Sequence, residues 1–250
     1  MLRIIDDRTG DPVPVRRGLT RVEAHVPGYD TSALRVLLVA DVLARALELG
    51  GAPVWSVLRA ERDEAELRAG VAALGIRPFE SGRDAGAGPG EGRVIHVVGA
   101  GGATPDGVRV AVAPVARADG GGPGPEGAAH AAAPEPAVGA DPGDLRLALL
   151  SHRHDLPVRL DAAALDDAHA TLARWRRTVA GWARQPSRPV PEEVRDELQS
   201  AWEDDLDVPG VLRVLRRVET ADLPEGARFE TYAYADRLLG LELTRDLGAP

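Results

Sequence analysis

The sequence predicts an α/β domain with a reduced, Rossmann-like parallel sheet, followed by an antiparallel helix bundle. Three observations predict it. The stretch Val22 to Leu49 reads as strand, turn and long amphipathic helix. A tract rich in Gly, Ala and Pro then interrupts the chain from about Ala118 to Gly143. Beyond it lies the clearest three-four apolar periodicity in the sequence. These features divide the chain into 1–117, a nucleotide-binding-like α/β domain, 118–140, a flexible linker, and 141–250, a helical stem and bundle.

Composition bounds the chemistry. The 250 residues carry a net charge of −9, which argues against broad binding to nucleic acid or a membrane surface. The absence of cysteine excludes disulfides, thiolate metal ligation and a cysteine nucleophile in this chain. All 30 basic residues are arginine, so lysine chemistry is excluded as well. No apolar run approaches the roughly 20 residues of a membrane span, and no N-terminal run suits a signal peptide. A cytoplasmic location is expected.

In chain order, Leu34, Leu37, Leu38, Val42, Ala46 and Leu49 form the packed stripe of the first helix. Arg35, Asp41, Arg45 and Glu48 fall on the other face, which is expected to be wet. Gly50-Gly51 ends the helix, and Val54 to Leu58 reads as a buried strand. Strand, helix, strand implies a right-handed parallel crossover, with any ligand near Gly28 to Ser32 at the strand's carboxyl end. Glu61 to Leu74 reads as a second helix, ended at Gly75. A glycine-rich loop, SGRDAGAGPGEG, leads to the strand Val94 to Val98. Gly99 to Gly102 follows that strand as a phosphate loop would. But Thr104-Pro105-Asp106-Gly107 looks like a turn into the run Val108 to Val112, so a hairpin is expected.

In the second half, Asp141-Pro142 opens one helix and Asp161 caps the next. In the latter, Leu165, Ala168, Leu172, Trp175, Val179 and Trp182 keep the spacing of a bundle seam. Further helices are expected after Pro189 to Pro191, after Asp207 with Pro209, and over Ala227 to Leu239.

The run GYDTSALRVLLVADVLARALELGG resembles the start of a class I cysteinyl-tRNA synthetase. It equally resembles that enzyme's relative, the ligase that joins cysteine to glucosaminyl-inositol in mycothiol synthesis. Tyr29-Asp30 matches the families' Tyr-Asp, Arg35 their arginine, and Asp41-Val42-Leu43 their helix. The interval from Asp30 to Arg35 is about three residues short, and the gap removes the His-Ile-Gly-His signature. The stretches Leu-Ala-Leu-Leu, Arg-Trp-Arg and Asp-Asp-Leu-Asp-x-Pro in the second half resemble the mycothiol ligase in particular. The resemblance covers about residues 1–60 and 141–240.

The resemblance implies a residual nucleotide or amino-acid pocket of His25, Tyr29, Asp30, Arg35 and His96. Adenylate formation in these families needs histidines at a helix start and a mobile lysine, and this chain has neither in the usual form. Their zinc is held by cysteines and a histidine, so no metal is expected here. His25 is read as an ordinary strand-end histidine, with a remnant ligand as the alternative. His96 is read as a strand histidine, with a ligand contact as the alternative. His152 and His154 have metal-like spacing but share no helix face. Arg174, Arg176, Arg177, Arg184 and Arg213 mark either an RNA or partner face or an ordinary solvated one. The expectation is thus a degenerate, ligase-like binding or regulatory protein, with no cofactor required and ATP as the alternative. Its partner would be another protein, a second copy or a residual nucleotide, with tRNA disfavoured. An active ATP-dependent ligase and a tRNA-binding module are the competing readings.

Overall fold

The computed structural model describes residues 1–82, 92–117 and 141–248. The expected linker 118–140 and nearly all of the glycine-rich loop lie outside the described residues. The short strands β1 (Arg3–Ile5) and β2 (Pro12–Pro14) pair antiparallel, apart from the main sheet. Then follow β3 (Thr20–Val26), α1 (Thr31–Leu49), β4 (Val54–Ala60), α2 (Glu64–Ala73) and β5 (Glu80–Ser81). The sheet is completed by β6 (Arg93–Gly99) and β7 (Val108–Val112).

The five-stranded sheet has the order β5-β4-β3-β6-β7 and every pairing in it is parallel. The chain runs outward from β3 through β4 to β5, then returns to the other side of β3 with β6. That reversal places a topological switch point between the carboxyl ends of β3 and β6, where open α/β sheets bind ligands.

The expected hairpin is overturned. Strand β7 runs parallel to β6, with Ile95 opposite Val108 and Gly99 opposite Val112. Instead of reversing, the chain from Ala100 to Gly107 returns along the sheet edge without a helix. Gly101 (φ +80) and Gly107 (φ +149) adopt backbone conformations that side-chain-bearing residues rarely take. Parallel entry also lets Val110 and Val112 join Val97 in the core. The outer edge of β7 is held by the N-terminal segment: Asp7 N donates to Arg109 O and Arg109 N donates to Asp6 Oδ1.

The wet face expected for α1 is overturned at Arg35 and Asp41, while Arg45 is half-buried and Glu48 is exposed as expected. Every residue from Ala33 to Ala44 is buried, Arg35 and Asp41 included. The helix packs on β3, β4 and β6 and also meets α7 (Glu225–Leu239), so it is covered by both halves of the chain. Charge survives there because it is paired. Asp41 accepts from Arg45 Nε at 2.9 Å, Arg77 Nε at 3.0 Å and Arg146 Nη2 at 2.8 Å. Burial alone would raise the Asp41 pKa, but Arg146 and Arg45 hold it below the usual carboxylate range.

The second half holds α3 (Pro142–Leu150), β9 (Val158–Leu160), α4 (Ala162–Trp182), α5 (Glu192–Glu203), α6 (Val208–Thr220) and α7. Strand β9 pairs parallel with β8 (Val115–Arg117). The caps fall where the sequence predicts. Asp161 accepts from Ala164 N at 2.9 Å, Asp207 from Gly210 N at 3.0 Å and Asp141 from Gly143 N at 2.9 Å. The predicted seam residues Leu172, Trp175, Val179 and Trp182 are buried, with Leu198, Val211, Leu215 and Tyr232 among their core companions. Tyr232 stands edge-on to Trp175 and Trp182, and its hydroxyl donates to Leu215 O at 2.9 Å.

His154 follows α3 in the turn that ties the halves together. Its Nδ1 lies 3.2 Å from Ala111 O and its Nε2 lies 3.1 Å from Asp205 O and 3.3 Å from the Asp205 carboxylate. Burial opposes protonation, but acceptors at both nitrogens, led by Asp205, raise the pKa above 6.5. A raised folded-state pKa stabilises below the unfolded value and loses that stabilisation as pH rises through the folded one. The stability difference between the wild type and His154→Gln should therefore be largest below the ordinary histidine pKa and shrink as pH rises through the raised folded-state one, read by urea unfolding. A pH-independent difference would show that the ring is neutral throughout.

Candidate functional site at the switch point

On β3, Arg21, Glu23 and His25 alternate with Val22, Ala24 and Val26, which enter the core against α1. The parallel register sets Glu23 opposite His96 and His25 opposite Val98. Three ligating atoms converge as a result. His25 Nε2 lies 3.0 Å from His96 Nδ1, and Glu23 Oε2 lies 3.6 Å from each of those nitrogens. Glu23 Oε1 is turned the other way, to Arg21 Nε at 3.0 Å and Arg59 Nη2 at 3.2 Å.

Glu23 and His96 are each 3% exposed, while the His25 side chain keeps 18%, so approach from solvent is by way of His25. Burial lowers the pKa of both histidines. The neighbouring His96 adds to this for His25, and Glu23 opposes it at both. Both rings are therefore neutral at neutral pH, the form in which imidazole ligates metals. Among the described residues, these are the three side chains whose metal-ligating atoms converge.

His25 also borders a cavity of about 500 Å³ at the carboxyl ends of the strands. Its wall includes Pro27, Arg59, Glu61, Glu64, Gly82 and Gly102. The backbone comes close here, because a Cβ on Gly102 would collide with Val98 Cγ2. Arg59 is committed to Glu23 and to Gly82 O, at 2.7 Å. Of the wall's two glutamates, Glu64 is paired with Arg68 at 2.8 Å.

The five residues of the expected pocket do not gather. His25 and His96 meet. Tyr29 instead lies over Gly70 of α2, and its backbone N–H donates to Asp63 Oδ2 at 3.2 Å. Asp30 is the N-cap of α1, accepting from Ala33 N at 2.6 Å. Arg35 is 1% exposed and donates to Ala113 O, Leu156 O and Arg153 O at 2.6 to 2.8 Å. The cavity opens beside His25 and Pro27, displaced from the Gly28 to Ser32 turn.

The arginine face is broken as well. Arg176 is 3% exposed, ion-paired with Asp141 and bonded to Leu241 O and Glu242 O, so it can meet no RNA backbone. It belongs to the inner face of α4, beside Trp175 and Val179. Arg174 pairs with Glu219 and Arg213 with Asp207, while Arg177 and Arg184 are exposed. Likewise His154 is buried on Asp205, away from the switch point. Sequence reasoning passed over Glu23 and Arg59. The signal for Glu23 was present: Arg21, Glu23 and His25 at steps of two put a charged row on one face of an otherwise apolar strand.

No protein-family model matches the chain. Individual relatives do. The L-cysteine:1D-myo-inositol 2-amino-2-deoxy-alpha-D-glucopyranoside ligase of Parafrankia sp. is 44% identical over 91 residues, 36% of this chain and 20% of that protein. The ligase of the same name from Streptosporangium roseum is 38% identical over 109 residues, 42% of this chain and 26% of the other. That from Frankia alni is 45% identical over 75 residues, 30% of this chain and 17% of the other. The matched stretches thus span about a quarter or less of these curated relatives. Over up to about two fifths of its length, this chain is a relative of proteins that bear that ligase name.

Proposed function

We propose that this chain is a catalytically degenerate relative of the cysteine ligases, a binding or regulatory protein that keeps the switch-point cavity and has given up adenylate formation. The observation that carries the reading is the fate of the start of α1, where the resembled families place their phosphate chemistry. There Asp30 is spent on capping, Ser32 Oγ accepts from Val115 N at 3.0 Å, and Arg35 is spent on three carbonyls. Asp30 and Arg35 are thereby engaged elsewhere, and this chain has no lysine to hold pyrophosphate. Among the described residues, the cavity wall offers a triphosphate no free cation, since Arg59 is committed to Glu23 and Gly82 O. The cavity better suits a compact neutral or amine-bearing ligand.

Two measurements test this. Calorimetric titration with ATP should give no heat in the micromolar range, and pyrophosphate exchange with ATP and cysteine should stay at background. Exchange above background, abolished by Asp30→Ala in a folded variant, would overturn the reading in favour of an active ligase with a rebuilt site. A tRNA-binding role finds little support, because Arg176 is buried in the helical half. A tRNA shift that persists in Arg177→Ala/Arg184→Ala would have to use another surface.

A further inference from the structure

We propose that Glu23, His25 and His96 form a divalent transition-metal site at the edge of the switch-point cavity. The triangle of His25 Nε2, His96 Nδ1 and Glu23 Oε2 has sides of 3.0, 3.6 and 3.6 Å. Ligands at about 2.0–2.2 Å on a tetrahedral ion stand about 3.3–3.6 Å apart, so small adjustments admit a zinc-sized ion bound by all three. Two histidines and one carboxylate are also a donor set that zinc accepts when it keeps a fourth position open.

A hydrogen bond joins His25 Nε2 to His96 Nδ1 at 3.0 Å, but it leaves the carboxylate unaccounted for. At 3.6 Å, Glu23 Oε2 is beyond hydrogen-bonding distance of both nitrogens, so the carboxylate faces the histidine pair without bonding to it. Glu23 is supported as metal ligands are, whereas the outer nitrogen of His96, Nε2, is buried without a hydrogen-bond partner among the described residues. Arg21 and Arg59 take Glu23 Oε1 and so aim Oε2 at the histidines. His96 is fixed in β6, with the backbone of Gly107 so close that a Cβ there would come within 3.0 Å of the ring. His25 borders the cavity, so the open position of the ion would be available to water or to a ligand entering there.

This site is built from two strands of the sheet and uses no thiolate. It does not depend on what fills the cavity, and it stands or falls apart from the loss of adenylation. The test is titration of the chelator-treated full chain with Zn²⁺ by calorimetry and with Co²⁺ by visible absorption. One ion per chain is expected, with the intense Co²⁺ bands of four-coordinate geometry. Supporting groups alone are worth about 10- to 100-fold in affinity, so His25→Gln and Glu23→Gln should each weaken binding by about 100-fold or more. His152→Gln, in the turn after α3, should leave binding unchanged. His25 is partly exposed at a strand end, so His25→Gln should keep the fold, checked by circular dichroism. Absence of binding by the wild type at millimolar Zn²⁺ would overturn the proposal, as would binding unaffected by His25→Gln and Glu23→Gln.

Discussion

Arg146→Ala is expected to lower the unfolding free energy by about 3–5 kcal/mol, which is a large share of the roughly 5–15 kcal/mol of an ordinary domain. Arg146 is 1% exposed and reaches three elements from α3. Its Nε donates to Leu239 O at 2.7 Å, its Nη1 to Leu74 O at 3.1 Å and its Nη2 to Asp41 Oδ2 at 2.8 Å. Removing it leaves two carbonyls unpaired, takes from the buried Asp41 carboxylate one of its three arginine partners, with Arg45 and Arg77 remaining, and deletes a packed aliphatic stem. The double replacement Asp41→Leu/Arg146→Met removes both charges but takes the Asp41 carboxylate from Arg45 and Arg77 as well, so it should recover only part of the loss. The pH dependence has a definite sign. Asp41 is held below its ordinary pKa, so its contribution is present above that ordinary value and is lost as pH falls through the folded one. Urea unfolding of the three proteins at neutral and acid pH checks both statements. A cost below about 1 kcal/mol for Arg146→Ala would mean that water reaches the network.

Arg35→Leu is the second large effect, expected to cost about 3 kcal/mol or more, because each buried acceptor left unpaired costs about 1–3 kcal/mol. Its guanidinium gathers Ala113 O, Arg153 O and Leu156 O, joining α1 to the segment after β7 and to the turn after α3. Burial lowers its pKa to about 10, with Asp155 opposing, so it remains charged at neutral pH. Arg35→Lys should rescue only part of the loss, since an ammonium cannot reproduce a planar fork shared among three carbonyls. Arg35 does not line the switch-point cavity, so a folded Arg35→Lys should bind Zn²⁺ as the wild type does. Thermal unfolding and the metal titration together separate these two expectations.

These predictions concern side chains that the sequence places among exposed or ligand-binding positions. Residue type alone puts Arg35 and Asp41 of α1 among the wet positions, yet at 3.6 residues per turn both fall within about 70° of the centre of the apolar stripe, on the side that packs. What reversed the assignment is a second covering layer from far along the chain, through α7 and Arg146. Arg176 shows the same effect on α4. Its residue type suggests a surface, whereas its position beside Trp175 and opposite Asp141 makes it an internal tie.

Local physics was sufficient for much of the rest. Apolar periodicity located the helices, Asp141, Asp161 and Asp207 cap them as read, and the strand-helix-strand order implied the parallel sheet around β3. The resemblance to cysteine ligases also rested on short local stretches, and partial-length relatives share it. Two things were decided only in three dimensions. The direction of β7 depended on the chain from Ala100 to Gly107 running back to the start of β6 before pairing with its free edge, which a turn-like Thr-Pro-Asp-Gly does not encode. The cluster at the switch point depended on the register between β3 and β6, which brings together His25 and His96, 71 positions apart. Within a strand, alternation alone put Glu23 and His25 on one face. The partner that completes them came from pairing, because hydrogen-bonded register, unlike helix propensity or capping, is a property of two distant segments at once.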